Sequence, residues 1–314
     1  MSLIKKFYYP LGKLPSLILR WFDNNLTPVH TGPNKIDWAR ILPFIAIHLA
    51  CFGVFFVGYS AFALGFAIFL YALRVFAITG FYHRYFSHKT FKANRFWQFI
   101  FAVIGLTAVQ RGPLWWAAHH RDHHLFSDQE PDAHSPVQHG FIWSHLGWFL
   151  SKKYFHYDAK RIQDFLRFPE LRFIDRFDVI VPILFAVGTY GLGEYLNHYH
   201  PALNTNGLQL LVWGFCLSTV CVFHATFTIN SLSHCFGSKP HKTSDNSRNN
   251  FFLALLSFGE GWHNNHHFYP ACARQGFKWW QIDITYYLLL GLEKIKVIKE
   301  LRQPPKSILN GAPH

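Results

Sequence analysis

The sequence predicts an all-α membrane protein, with four transmembrane helices in two hairpins and a cytosolic helical cap that holds a histidine-rich metal site. Half of the 314 residues are apolar and only 15% are charged, a composition typical of a chain that lies in a bilayer. Four apolar runs have the length of a membrane span, and lysine and arginine are concentrated on one side of them. The histidine motifs lie outside those runs, which indicates a polar site beside the membrane.

The predicted spans are four apolar runs close to the roughly 20 residues that a helix needs to cross a bilayer. They cover residues 41–57, 61–80, 179–195 and 208–229. The links at residues 58–60 and 196–206 contain neither lysine nor arginine, so the positive-inside rule places both termini and all histidine motifs in the cytoplasm. We expect one integral-membrane domain over residues 1–314, with a cap from 81–177 and 230–314. If the chain is bacterial, its place is the inner membrane.

The formal net charge of +13 at pH 7 is strongly basic. Nucleic-acid-binding proteins share this property, but here the basic residues flank apolar runs, where anionic lipid headgroups are the simpler partner. We therefore expect contact with membrane lipid and none with nucleic acid. Arg74 lies within the second predicted span and is interpreted as a helix-interior partner or a snorkelling group.

Two segments of the predicted cap are expected at the membrane interface. Residues 97–109 are apolar but too short for a full crossing, and Arg95 and Arg111 flank them. Residues 165–177 mix Phe, Leu and Ile with arginines, as interfacial amphipathic helices do.

Four groups of histidines carry the predicted chemistry. They are His83 and His88; His120, His123 and His124; His234, which follows Asn230; and His263, His266 and His267. On a helix, residues at i, i+3 and i+4 lie close together, so each H-x-x-H-H motif offers two or three imidazoles to one volume.

Nine imidazoles exceed the four ligands of a tetrahedral zinc site, and the five cysteines form no C-x-x-C pair. Two irons with open positions for O2 fit this donor set best, because iron accepts imidazole ligands. The other twelve histidines are interpreted as surface, interfacial or hydrogen-bonded core residues. Among them, His119 and His145 lie close to the second motif.

These motifs resemble those of the membrane fatty acid desaturases, specifically the acyl-CoA delta-9 (stearoyl-CoA desaturase-like) group of bacterial type. The resemblance rests on HRYFSH at 83–88, HRDHH at 120–124, SHLGW at 144–148, NSLSHCFG at 230–237 and GEGWHNNHH at 259–267. It implies a di-iron centre in which one iron is bound by His83, His88, His120, His124 and His266. The second iron would be bound by His123, His234, His263 and His267, with Asn230 reaching it through water.

The resemblance also implies the reaction and its partners. O2 and two electrons are consumed while a cis double bond forms in a saturated acyl chain. Trp116 and Thr226 match positions that bend the acyl tunnel. Ala118 and His119 replace an Arg-Asp pair that acyl-CoA relatives often carry, so the carrier stays open between CoA, an acyl carrier protein and an intact lipid. Only 47 residues follow the last motif, so we expect a separate electron donor such as a ferredoxin or a cytochrome b5-like protein.

Helix geometry suggests where the acyl tunnel ends. Going back from His83 at helical spacing, Val75 lies about 12 Å away and Tyr71 about 18 Å away, at about 1.5 Å per residue. A seven-to-nine-carbon tail extends on the order of 10 Å on the same scale. Val75 and Tyr71 are therefore predicted to close the tunnel for a chain of sixteen or eighteen carbons. The alternative is that this face packs on a neighbouring span.

Two other functions remain open from the sequence. A membrane di-iron hydroxylase or ketolase shares such histidine motifs but inserts oxygen. A metal or proton transporter would need ionisable residues deep in several spans, whereas the histidine motifs cluster outside them.

Overall fold

The structure is a computed structural model that describes residues 13–309. Predictions for residues 1–12 and 310–314 lie outside the described residues. Within the described part of the chain, regular structure is helical apart from isolated β-bridges such as Ile36 with Ser151. The all-α prediction is confirmed to this extent.

The helices that build the fold and the site follow one another as a continuous series. They are α1 (Lys13–Phe22), α2 (Trp38–Val57), α3 (Ala61–Ser87), α4 (Arg95–Leu106), α5 (Pro113–Phe126), α6 (Pro169–Arg176), α7 (Ile180–Tyr199), α8 (Gly207–His234), α9 (Phe251–Leu256), α10 (His263–Phe268) and α11 (Ile284–Lys294). Short helical segments lie at Asn24–Leu26, Pro136–His139, Trp143–Gly147, Ala159–Ile162, Gln163–Leu166, Pro201–Leu203 and Lys306–Leu309.

By length and composition, α2, α3 and α8 can each cross a bilayer. A fourth span exists if α6 and α7, which are bent by 70° at a short break, are counted together. Three predicted spans fall inside α2, α3 and α8, and the fourth, 179–195, falls inside α7 except for its first residue. The described residues thus contain three or four apolar helices of spanning length.

The outer faces of these helices are apolar. On α2, Phe55 and Phe56 are 78% and 86% exposed. Soluble proteins rarely expose large contiguous apolar patches, whereas lipid tails would cover such a surface. Helix α4 has 12 residues, or about 18 Å at 1.5 Å per residue, which is too short to cross.

Arg74 is fully buried between α3 and α8. Its guanidinium donates to the carbonyl oxygens of Thr107 and Gly214 and to the hydroxyls of Thr219 and Ser218. The interpretation of Arg74 as a helix-interior partner is confirmed, because its hydrogen bonds join two helices of spanning length.

The main hydrophobic core joins the C-terminal half of α3 to α4 and α5. Phe81, Tyr82, Phe101 and Leu114 are buried there. Gly105 permits the close approach of α4 to α3, since a Cβ at this position would lie 2.0 Å from Cε1 of Tyr82. This core holds rigidly the two helices that carry the first and second histidine motifs.

Candidate metal centre

The first motif depends on how α3 ends. From Ala77 to Ser87 the helix adopts i→i+5 hydrogen bonding, and the N–H of His88 donates to the carbonyl of His83 at 3.1 Å. In an ordinary α-helix, side chains five residues apart diverge. The wider winding brings them to one side of the helix, and the two imidazole centroids lie 4.8 Å apart in an edge-to-face arrangement. Such π-helical segments occur frequently at functional sites.

The second motif lies on α5, whose N-terminus is fixed by a buried carboxylate. Asp175 Oδ1 accepts hydrogen bonds from the N–H groups of Leu114 and Trp115 at 2.9 and 3.0 Å. A Cβ at Gly112 would lie 2.1 Å from this oxygen, so the close approach requires glycine. The orientation of α5, and with it that of His120, His123 and His124, follows from this contact.

The third motif occupies α10. Asn249 Oδ1 accepts hydrogen bonds from the N–H groups of Asn264 and Asn265, which begin this short helix. Gly259, at φ +124°, turns the preceding chain in a conformation that L side chains rarely adopt. The helix thereby presents His263, His266 and His267 to the other motifs.

Nine histidines meet in two groups. The ligand nitrogens within each group lie within 4.8 Å of one another, so each group could hold a metal ion. One group is His83, His88, His120, His124 and His266; the other is His123, His234, His263 and His267. These are the two sets that the sequence analysis assigned to two irons. Asn230 lies four residues before His234 on α8 and lines a cavity that also reaches His120.

The spacing of the nitrogens suits a shared cation. In the first group, Nε2 of His266 lies 3.0 Å from that of His83 and 2.9 Å from that of His124. In the second group, Nε2 of His234 and His263 are 3.0 Å apart. Two nitrogens bound at right angles to one ion at about 2.1 Å would be about 3.0 Å apart.

Four buried carboxylates hold the opposite nitrogen of four histidines. His123, His234 and His267 donate from Nδ1 to Asp132, Asp128 and Asp245 at 3.0, 3.0 and 2.6 Å. His83 Nδ1 lies 2.5 Å from Glu260, which also pairs with the buried Arg84. A neutral imidazole that donates from Nδ1 keeps only a lone pair at Nε2, and metal-binding histidines use this arrangement. Because such lone pairs converge, the donor set fits metal ions.

The protonation states agree with this role. Burial lowers the pKa of His88, His120, His124, His263 and His266 well below the usual range. For His123 burial acts in the same direction, but the neighbouring Asp132 carboxylate raises the pKa overall. Imidazole must be neutral to bind a metal, so most of the set is ready to do so at neutral pH.

Four carboxylates and one histidine of the site carry no motif by which the sequence alone predicts them. His134, interpreted from the sequence as an ordinary polar histidine, forms a third group with His123 and Asp132. Asp128 and Asp132 stand in a polar loop after the second motif, and their spacing alone carries no signal. His119 and His145 do not join the two ligand groups: His119 is buried beside Trp115 and Trp148, and His145 contacts His224.

A cavity of about 460 Å³ adjoins the first group. Trp116, which stacks on His120 with centroids 5.0 Å apart, lines it together with Thr226. Gln110 Nε2 donates to Thr226 Oγ1 at 2.8 Å. The volume is within the usual 300–1,000 Å³ of small-molecule sites, so an acyl chain is a suitable occupant beside the histidines.

Tyr71 and Val75 do not line this cavity. Val75 is fully buried in the main core, and the Tyr71 hydroxyl donates to the carbonyl of Leu256 at 2.6 Å. Val75 thus packs in the core and Tyr71 contacts the segment around Leu256, and the role of the two residues at the end of the acyl tunnel stays a prediction.

The fold and the site define a protein of apolar helices with a histidine-rich centre able to hold two metal ions. The chain belongs to the fatty acid desaturase family, whose model matches residues 59–292. It is 36% identical over 297 residues to an acyl-CoA 5-desaturase of Anemone leveillei, covering 90% of this chain and 88% of that protein. The predicted resemblance is confirmed, and the enzyme is an oxidoreductase.

Two further relatives differ in the double-bond position that their names state. An sn-1 stearoyl-lipid 9-desaturase of Synechocystis sp. is 35% identical over 280 residues, which cover 87% of this chain and 82% of that protein. A palmitoyl-monogalactosyldiacylglycerol delta-7 desaturase of Arabidopsis thaliana is 32% identical over 276 residues, or 87% and 70% of the two chains.

Proposed function

We propose that this chain is an O2-dependent delta-9 desaturase that forms a cis double bond in a saturated acyl chain of sixteen or eighteen carbons. The observation that carries the proposal is the meeting of five and four histidines in two adjacent groups beside a cavity of about 460 Å³. The delta-9 position is supported by the motifs and by the 9-desaturase of Synechocystis.

Two irons are the proposed cofactors, bound by the five-histidine and four-histidine groups, with Asn230 completing the second through water. Bound there, they would supply activation of O2 with two external electrons, so that O2 and two protons become two waters while two methylenes become a double bond. A ferredoxin or cytochrome b5-like protein with its reductase is the proposed electron source.

The residues of this chain have three tasks in that reaction. Asp128, Asp132 and Asp245 orient their imidazoles and hold the proton at Nδ1. Trp116 closes the cavity beside His120. Thr226 and Gln110 join α8 to the loop before α5, which fixes the cavity wall. Together they can hold an acyl chain in one position while keeping water from it.

Product analysis tests the proposal. In a host that supplies C16 and C18 chains, expression should yield 16:1 and 18:1 with the double bond at carbon 9, located by gas chromatography and mass spectrometry of derivatised esters. A hydroxylated product would favour the membrane di-iron hydroxylase instead. A double bond at carbon 5 or 7 would leave the desaturase standing and overturn the delta-9 position.

The proposed topology has four spans, with both termini and the centre in the cytoplasm. Its support is the absence of lysine and arginine from residues 58–60 and 196–206. A tag at Asn204 should be labelled from outside and one at Asp245 only from inside. Labelling of both from the same side would overturn the arrangement.

A further inference from the structure

Two cavities meet at Arg111 and Phe155. The first is the cavity beside the histidines; its far side is lined by Phe44 and Ile47 of α2 and by Ile183 and Ala186 of α7. The second, of about 450 Å³, is lined by polar and basic residues, together with the Asp175 carboxylate and several apolar side chains; the polar and basic residues include Asn24, Asn25, His156, Arg172 and Arg176. An apolar chamber joined to a polar one matches the shape of an amphiphile.

The apolar cavity reaches the side of the protein that would face lipid. Ile183 lines it and is 45% exposed, and on the same helix Leu184 and Val187 are each 64% exposed. Both α2 and α7 pack on α8, so their cavity-lining faces leave a gap between two spanning helices. A chain that comes from the bilayer can enter there without passing through water.

The polar cavity lies at the level expected for lipid headgroups. Helix α6, which lines it, is bent by 70° from α7, so α6 runs along the membrane surface when α7 crosses. Phe173 of α6 is 58% exposed, as on an interfacial helix. Arg172 forms no ion pair with a described carboxylate, whereas Arg176 is paired with Asp23. The cavity therefore has a free basic group for an anionic headgroup.

Two arginines lie at the junction between the cavities. The guanidinium of Arg111 lies 4.1 Å from the centre of the Phe155 ring and donates from Nε to Asp178 at 2.8 Å. The guanidinium of Arg40 lies 3.7 Å from the same ring. Its NH1 and NH2 groups donate to Asn24, Arg20 and Thr27, whereas its buried Nε has no hydrogen-bond partner among the described residues. Ester and glycerol oxygens at this point would meet guanidinium donors, while the acyl chain continues over aromatic rings.

We propose that the substrate is an acyl group of an anionic membrane glycerolipid, which enters sideways between α2 and α7. Its headgroup occupies the polar cavity beside α6. The proposal rests on the proposed desaturase function and names the acyl carrier, which the sequence motifs left open. Ala118 and His119, which directly precede the second motif, are buried. They offer no exposed charge to a CoA headgroup.

Photolabelling tests this binding without turnover. The full-length protein is incubated with phosphatidylglycerol that carries a diazirine near the end of one acyl chain, and in parallel with acyl-CoA that carries the same chain. Adducts are located by mass spectrometry. The lipid probe should label residues 40–47 and 179–186, and unlabelled phosphatidylglycerol should compete. Labelling of these segments by the CoA probe and not by the lipid would overturn the proposal.

Paired variants test the contributions of the two cavities to lipid binding separately. Ile183→Trp should reduce lipid labelling, whereas Leu184→Trp, the exposed neighbour outside the cavity lining, should leave it unchanged. Arg172→Glu should weaken competition by phosphatidylglycerol about fivefold or more, as expected for a basic residue beside anionic lipid; Arg167→Glu is its matched control. Equal effects within either pair, or equal competition by phosphatidylcholine, would contradict the assigned binding site or its charge preference.

Two outcomes distinguish an error in the proposed acyl carrier from an error in the proposed reaction. Desaturation of stearoyl-CoA without lipid labelling would overturn the carrier alone. Specific lipid labelling, with no desaturated product from either substrate in the presence of iron, O2 and reductant, would overturn the proposed reaction and leave the lipid site standing.

Discussion

Asp132 Oδ2 accepts a hydrogen bond from His123 Nδ1 at 3.0 Å, and both side chains are buried. The same oxygen accepts from the backbone N–H of Asp128 at 3.0 Å, so the carboxylate is fixed before any metal binds. Burial would raise the pKa of Asp132, but the neighbouring His123 and His134 and these hydrogen bonds lower it overall. Asp132 therefore stays ionised and holds His123 with Nε2 directed towards the other ligands.

Asp132→Asn should weaken metal binding in the four-histidine group, because an amide carries no charge and can present its NH2 to His123. Loss of such an outer partner typically costs 10–100-fold in metal affinity, which titration of stripped protein with Fe(II) would measure. Glu130→Gln removes an exposed carboxylate from the same loop and serves as the control. Equal affinities in the two variants would show that Asp132 does not orient His123.

Gly105→Ala should destabilise the cap, because the added Cβ would lie 2.0 Å from Cε1 of Tyr82, the residue before His83. Overpacking of this kind costs typically 1–3 kcal/mol, and the thermal midpoint in detergent should fall. Gly65→Ala, on the same α3 as Tyr82, has no atom within 4 Å of the new Cβ. An unchanged midpoint in Gly105→Ala would mean that α4 does not pack on α3 at this position.

Acid should release the metals. Burial lowers the pKa of His120 and His124 well below the value of an exposed histidine. These imidazoles take up protons more readily when the fold opens, so the folded state loses stability relative to the opened state as the pH falls below about 6.5. Each such histidine contributes up to about 1.36 kcal/mol per pH unit below that point, and proton competition for the ligands adds to the effect. Metal analysis after exchange into buffers from pH 7.5 to 4.5 would show the loss; full retention at pH 4.5 contradicts this reasoning.

The chain-length prediction for Val75 rests on helix geometry. If Val75 limits the tunnel, Val75→Ala should shift product towards 18:1 and Val75→Phe towards 16:1, modestly, because one methylene is worth roughly 1–3 kcal/mol. The 16:1 to 18:1 ratio in a host that supplies both chains measures this. An unchanged ratio in both variants, with lowered stability, would assign Val75 to the core in which it is buried.

Much of the candidate site could be predicted from the sequence because ligand spacing on α5 matches ordinary helix geometry. His120, His123 and His124 stand at i, i+3 and i+4, so a helix alone brings them together. His83 and His88 are five residues apart, and an α-helix would separate them by about 140° at 100° per residue. Only the i→i+5 winding of α3 unites them, and no residue pattern in this segment specified that winding.

The carboxylates could not be predicted for a different reason. Asp128 and Asp245 are 117 positions apart in the sequence and stand in polar loops that resemble solvated turns. The fold buries both and directs them to His234 and His267. In the same way, hydropathy placed α7 within one residue of its start but gave no sign of its 70° bend from α6, on which the polar cavity depends.

Iron stoichiometry tests the central claim, a centre of two separate metal sites, most directly. Protein stripped of metal and refilled anaerobically with Fe(II) should bind two irons per chain by elemental analysis. His124→Ala, in the five-histidine group, and His263→Ala, in the four-histidine group, should each bind one. One iron or none in the unmodified protein, or two irons in both variants, would contradict the assignment of nine histidines to two metals.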